Sequence, residues 1–456
     1  MNVLVVFVIT MALLLLALIK FKWNPGACLF GAALLMGMLS GMPSGDVIGG
    51  ATKGFGNTLA SVGLIVLFGG ALGDMLGASG GTEELAKALL RKCGKKYDTL
   101  ALTLAGCLVS IPVYFAAAYI MMSPLVNSLN RQTGKKRATY ACALTVGLIL
   151  TASIVAPTPG PVAVASELNA DLGWFIFYGL VICIPAALIA GWQFSNYIER
   201  SRRTEPEDND TVQMADVIDN QELLKADPTK ASALKTVLLI LLPIVLILLR
   251  SISPYLFSQE SVIYAVLNFL GNNVFALFLA MLVAAVTLHK YIVPEKSKSI
   301  SKLISKSANS FGNILMILGT GGAFASIIKS CGLGDELVEL LTRLNFPTLL
   351  AAFVLSLILH AAVGSGTVAM TTAVAIFGSV AVSQGFSPVV VGLAICCGGA
   401  GLTLPTDGAF WHPSQLNRIS VKQTFTTVTA STTLASVCAF MMVVLLNLCS
   451  GFLPGL

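Results

Sequence analysis

Pro157-Thr158-Pro159-Gly160-Pro161 and Pro405-Thr406-Asp407-Gly408 each close an apolar run and are each followed by further apolar sequence. At the same offset of 248 residues, Ser166-Glu167-Leu168-Asn169 pairs with Ser414-Gln415-Leu416-Asn417. Proline removes a backbone donor and collides with the preceding turn, so a helix entering either stretch is predicted to unwind there. An unwound turn frees carbonyls for a cation. The half-helix that restarts offers N–H groups and the positive end of its dipole to an anion. Broken helices are therefore predicted at 157–161 and 405–408.

The pairing continues outward from these stretches. Phe55-Gly56-Asn57 recurs as Phe311-Gly312-Asn313, and Gly69-Gly70-Ala71 as Gly321-Gly322-Ala323. Thr99-Leu100 recurs as Thr348-Leu349, and Val146-Gly147-Leu148 as Val391-Gly392-Leu393. The order is colinear and the offset drifts only from 256 to 245 residues, which marks an internal duplication. The halves are expected at 1–198 and 232–456, joined by a polar linker at 199–231 that carries Glu205, Glu207, Asp208, Asp210, Asp216 and Asp219.

With 56% hydrophobic and 11% charged residues and a mean hydropathy of +0.85, the 456-residue chain needs lipid as the solvent for most of its surface. The fold class is an all-α polytopic membrane protein. Crossings are predicted at 3–19, 26–43, 55–79, 137–156 and 173–198, then at 234–252, 272–290, 310–331, 387–404 and 425–448. The segments 98–130 and 348–385 each enter and leave on one side, as re-entrant hairpins do. Five crossings and one hairpin per half make the second half inverted relative to the first, the usual architecture of secondary transporters.

The run Val3 to Ile19 has no basic residue before it and ends in Lys20-Phe21-Lys22, which reads as a permanent first span and not a signal peptide. The basic clusters are Lys20 with Lys22, Arg91 to Lys96, Arg131 to Arg137, Arg200 to Arg203, and Lys290 through Lys296, Lys298, Lys302 and Lys306. They alternate with spans as the positive-inside rule requires, which puts the linker in the cytoplasm and both termini outside a cell (inner) membrane. The formal charge of +6 thus belongs to loops, and no nucleic-acid partner is implied. Ten cysteines without a CxxC pair or a His/Cys cluster give no disulfide, metal or cofactor reading; they read as small buried hydrophobes.

Chemistry is expected in the second half. His360, Gly364-Ser365-Gly366-Thr367 and Thr371-Thr372 place hydroxyls and exposed backbone in the second hairpin, suited to carboxylate or polyol oxygens. Thr158, Gly160 and Thr406 lie at the breaks as further ligand contacts. Asp407 and His412 are the leading candidates for coupling to a proton or other cation, with His360 and Asp74 behind them. The first hairpin tip, Ser110 to Phe115 with Pro112 and Tyr114, is expected to contribute shape. Glu83, Glu84, Asp335 and Glu336 read as solvated interface faces, and Lys329 as a snorkelling side chain.

Gly364-Ser365-Gly366-Thr367-Val368-Ala369-Met370-Thr371-Thr372-Ala373 resembles the Ser-Ala-Thr-Val-Ala-Met-Thr-Thr signature of the gluconate permease family of sugar-acid:proton symporters. Pro157 to Pro161 is similar to that family's Pro-x-Pro-Gly-Pro segment, and Gly80-Gly81 and Gly399 to Trp411 are similar too. The chain departs from the family pattern at Thr158, where a histidine is usual, and at Leu404 to Asp407, where a polar Ser-His-Val-Asn-Asp run is usual. Asp407 matches the aspartate of that run. The resemblance implies a homodimer with a scaffold domain and a mobile transport domain that bears both hairpins, working by an elevator-like mechanism.

The expected function is cation-coupled uptake, through a proton, of a small hydroxylated organic anion such as gluconate. Alternatives are a sodium-coupled or exchange carrier of another small carboxylate or amino acid and, from a different class, an intramembrane enzyme using the His, Asp and Ser near 405–414. The binding-break motif repeats and no nucleophile–base–orienter constellation does, so no catalytic residue is assigned. A channel is disfavoured by the lack of a charged ring.

Overall fold

The computed structural model describes residues 3–21, 23–201, 227–292, 300–333, 336, 339 and 347–456. Most of the predicted linker, with Arg202 and Arg203, lies outside the described residues, as do Lys22, Lys296, Lys298 and Asp335.

The helices are α1 (Val3–Ile19), α2 (Pro25–Leu39), α3 (Ser44–Ala78), α4 (Gly81–Cys93), α5 (Asp98–Val109), α6 (Phe115–Thr133), α7 (Arg137–Ile154), α8 (Pro159–Glu167) and α9 (Leu172–Arg200). They continue as α10 (Ala233–Leu256), α11 (Val262–Leu270), α12 (Asn273–Ile292), α13 (Ile300–Ser330), α14 (Thr348–Val363), α15 (Gly366–Ser383), α16 (Pro388–Ala400), α17 (Gly408–Asn417) and α18 (Val421–Leu448). Among the described residues, 8 helical stretches are long and apolar enough to cross a membrane, and the protein is a multi-pass membrane protein.

Local sequence explains the boundaries. Asn24, Asp171, Ser365, Ser387 and Asp407 cap the N-termini of their helices with side-chain oxygens, and proline opens α2, α8 and α16. The order helix–turn–helix, broken helix, long helix with a π-type turn occurs at 98–200 and again at 348–448. The π-type turns cover Ala187–Gln193 and Phe425–Thr429.

The helices at the centre of the fold are α3 (35 residues) and α13 (31 residues), which pack along each other. A Cβ on Gly54 would stand 2.5 Å from the Gly322 carbonyl, so this crossing needs the bare backbone. Phe55 lies over Gly319 while its sequence counterpart Phe311 lies over Gly70, a reciprocal exchange of rings and glycines. Both helices begin about one heptad or more earlier than the apolar runs at 55–79 and 310–331 suggest. Their polar first turns continue the same helix beyond the apolar stretch. The helix α11 is an element the sequence reading did not contain, and α2 stops at Leu39, before Gly41 takes φ +81°.

The two helix–turn–helix units differ. The arms α14 and α15 pack on each other and on α16, whereas α5 and α6 pack mainly on α7 instead of on each other. Glycine permits this: a Cβ on Gly106 would stand 3.1 Å from the Leu144 carbonyl. At 12 residues, α5 rises about 18 Å, short of a hydrocarbon core about 30 Å thick.

Candidate functional site

The second break runs from Gly401 to Asp407, between α16 and α17. The second hairpin's turn docks on it. Gly364 ends α14 at φ +72°, and a Cβ there would overlap the Thr406 carbonyl oxygen and approach Asp407 N to 2.8 Å. The Thr406 hydroxyl donates to the Ala361 carbonyl at 3.0 Å, and a Cβ on Gly366 would stand 2.7 Å from the Gly399 carbonyl. Glycine at these positions lets the backbone of the turn lie directly against the backbone of the break.

This docking closes one wall of a cavity of about 280 Å³. The first turn contributes Tyr114, Phe115 and Ala116; α7 contributes Ile149, Ala152 and Ser153; the second turn contributes Gly364 to Thr367; and the second break contributes Asp407 to Ala409 with His412. The N-termini of α6, α15 and α17 therefore open on one space. First-turn N–H groups have no intrahelical partner, and each helix start carries roughly half a positive charge. Three such ends around one cavity are chemically suited to a carboxylate or another small anion.

One wall also carries a titratable pair. His360, 3% exposed, approaches the Gly401 carbonyl with Nδ1 at 2.6 Å and Asp407 Oδ2 with Nε2 at 3.0 Å. Asp407 accepts from Ala409 N at 2.8 Å through Oδ1, capping α17. The imidazole thus ties the end of α14 to both ends of the break. His412 Nδ1 donates to the Gly408 carbonyl at 2.7 Å, and its ring stands edge-on to Phe115 at 5.6 Å and at 5.9 Å from Tyr119, both on α6.

Of the residues singled out in the sequence, His360, Ser365, Gly366, Thr367, Asp407 and His412 line the cavity. Thr406 stands beside it, and Gly160 at the start of α8 is packed against Met370, itself a lining residue. Thr371 and Thr372 are buried further along α15; the Thr371 hydroxyl donates back to the Thr367 carbonyl at 2.9 Å. In the first break the Thr158 hydroxyl donates to the Val155 carbonyl at 2.6 Å, and Thr158 lines a separate narrow space of about 10 Å³ with Pro112, Tyr114 and Phe311. Asp74 accepts from Ser307 at 2.5 Å, joining α3 to α13 away from the cavity.

Sequence reasoning missed the support of the site. Tyr119 donates to Asn417 Oδ1 at 2.7 Å, and Asn417 Nδ2 reaches the Ser123 carbonyl at 3.1 Å and Asn127 Oδ1 at 3.2 Å, which fixes α17 to α6. The repeated Ser-x-Leu-Asn motif contains Asn417 and was the available signal. Asp98, 2% exposed, accepts from Lys135 at 2.7 Å and Tyr140 at 2.6 Å, closing the base of the first helix–turn–helix.

A multi-pass helical bundle with paired helix breaks, a turn docked on one of them and a polar cavity beside it is the build of a membrane transporter. Comparison with known proteins specifies it further. Residues 1–449 match the family described as GntP family permease, and the chain belongs to that family. The D-serine transporter DsdX of Escherichia coli is 32% identical over 435 residues, covering 94% of this chain and 95% of that protein. A gluconate permease of Pseudomonas aeruginosa is 32% identical over 441 residues, covering 96% of each. A high-affinity gluconate transporter of Escherichia coli is 29% identical over 445 residues, covering 98% of this chain and 99% of that one. In fold, the chain is similar to the Alcanivorax borkumensis YdaH transporter (TM-score 0.66, 13% identity, 94% of this chain and 99% of that one). It is likewise similar to Neisseria gonorrhoeae MtrF (TM-score 0.66, 15% identity, 88% and 84%).

Proposed function

We propose that this GntP-family transporter carries a small hydroxylated organic acid such as gluconate into the cell together with a proton, by elevator-like alternating access. The observation behind this reading is the His360–Asp407 pair on the wall of a cavity at which three helix N-termini converge. The helix ends take the carboxylate. Ser365 and Thr367, with the open N–H groups of the second turn, take hydroxyls of the substrate.

The pair accounts for the proton. Nδ1–H is engaged by the Gly401 carbonyl, so a 3.0 Å bond between Nε2 and Asp407 Oδ2 holds one proton, on the ring or on the carboxyl. When that proton leaves, a lone pair faces a carboxylate oxygen and the second turn loses one of its ties to the break. Proton and anion then favour the same docked arrangement, which is the thermodynamic condition for coupling. His412 responds to the same cavity, while Thr158, Gly160, Thr371, Thr372, Thr406 and Asp74 shape or brace it.

The architecture completes the proposal. The halves 1–198 and 232–456 are inverted repeats, the linker 199–231 is cytoplasmic, the termini face outward, and two copies form a dimer in the inner membrane. A second reading, carriage of an amino acid such as D-serine, is favoured by one feature: Asp407 offers a carboxylate to an ammonium group inside the cavity. Uptake of labelled gluconate into proteoliposomes under an imposed pH or sodium gradient tests the first reading. Accumulation under the pH gradient supports it, and no accumulation under either gradient overturns it. Competition by D-serine at concentrations similar to those of gluconate would favour the second.

A further inference from the structure

A second cavity, of about 800 Å³ and open at the surface, lies among α3, α10, α11 and α12, away from the site described above. Its polar lining is Arg250, Gln259, Tyr264, Asn268 and Asn272, and among the described residues no carboxylate lines it; Glu260, adjacent in sequence, is not among its walls. Arg250 donates through Nε to Asn268 Oδ1 at 2.9 Å, which orients the guanidinium and leaves its terminal nitrogens for another acceptor. Asn272 caps α12 through the N–H groups of Val274 and Phe275, so the positive end of that helix faces the same space. Aromatic rings close the rest: Phe68 packs on Phe278 at 5.2 Å and Phe269 on Phe275 at 4.5 Å.

The occupant must therefore be anionic at one end and apolar at the other. A hydroxylated acid would leave its hydroxyls against phenyl rings. The helix α11 continues the apolar side, with Val262, Ile263, Val266 and Phe269 all exposed. Depth agrees. Lys235 and Arg250 bound the charge-free stretch of α10, which rises about 22 Å between them, so the two charges flank most of a hydrocarbon core about 30 Å thick. Arg250 is then at the level of lipid headgroups.

We propose that this cavity binds an anionic phospholipid, its phosphate on Arg250, the amides and the start of α12, and its chains along α11. Full-length protein, purified in detergent, is equilibrated with equal amounts of phosphatidylglycerol and phosphatidylcholine of the same chains, and retained lipid is counted by native mass spectrometry. The wild type retains phosphatidylglycerol preferentially. Arg250→Gln loses roughly tenfold of that retention, the scale of one charge-assisted hydrogen bond, and Arg250→Lys falls between. Thermal melting in the presence of each lipid checks that the variants fold and gives an independent readout, with only the wild type and Arg250→Lys raised by phosphatidylglycerol.

Equal retention of the two lipids, or undiminished retention by Arg250→Gln, would overturn the proposal. Displacement of the lipid by inorganic phosphate at equimolar concentration would assign the cavity to a free anion and would also overturn it. Efficient cross-linking between copies through a cysteine placed at Ala265, with no lipid bound, would assign it to a protein contact, with the same consequence.

Discussion

Gly364→Ala tests how tightly the second turn must sit on the second break. The residue is at φ +72°, where a Cβ is strained by about 1–2 kcal/mol. The new methyl would also overlap the Thr406 carbonyl, so the turn has to withdraw by about 1 Å to restore van der Waals contact. His360 Nε2 and Asp407 Oδ2, now 3.0 Å apart, would then separate to about 4 Å, beyond hydrogen-bond reach. Because stability is spread over the whole bundle, the melting temperature should fall by only a few degrees. Transport should fall far more, on the order of 100-fold, the scale of effect that a 1 Å misplacement has at a reacting centre. Initial rates of gluconate uptake in proteoliposomes measure this, with Gly56→Ala as the control because a Cβ there meets nothing within 4 Å. Uptake by Gly364→Ala within twofold of the control would mean that transport does not depend on this close fit of turn and break.

Three further outcomes are expected. Asn417→Ala leaves the fully buried Tyr119 hydroxyl without its acceptor and should destabilise the protein by about 1–3 kcal/mol; adding Tyr119→Phe should recover part of the loss in a double-mutant cycle of thermal melts. Asp98→Ala removes the partner of Lys135 at the base of the first helix–turn–helix and should lower stability by about 3 kcal/mol, measured by chemical denaturation in detergent. Burial pushes the Glu83 carboxyl up, but hydrogen bonds and charge from Lys230 and Lys87 hold it below the usual 4.5 overall. A lowered carboxyl contributes stability above the unfolded value and loses it as pH falls through the folded one. Glu83→Gln should therefore lower the melting temperature near neutral pH, and that difference should shrink as pH falls below 4.5 and through the lower folded value.

What was legible in the sequence is what backbone chemistry writes locally. Proline and glycine announced the breaks and turns, because a missing N–H or a positive φ constrains the chain whatever its surroundings. The apolar runs announced the long helices, but not their ends: α3 starts at Ser44 and α13 at Ile300, since a helix continues past the membrane boundary wherever its polar first turns can be solvated. The cavity was half legible. His360, Ser365, Thr367, Asp407 and His412 each stand out in the sequence for cost of burial or hydroxyl content, and all five line one cavity. Nothing local places His360 on an aspartate 47 positions away, or Tyr119 on Asn417 across 298, because those bonds exist only once α14 and α6 have packed. Thr158 shows the converse: its hydroxyl is satisfied three residues back by Val155, which the motif alone does not reveal.

In the proposed mechanism the His360–Asp407 pair carries a proton inward with the acid. Proteoliposomes loaded with a pH-sensitive dye and given external gluconate, with no imposed gradient, measure that directly. Substrate-dependent acidification of the lumen is expected in the wild type and none in Asp407→Asn. Entry of labelled gluconate into wild-type vesicles with no change in internal pH would contradict it.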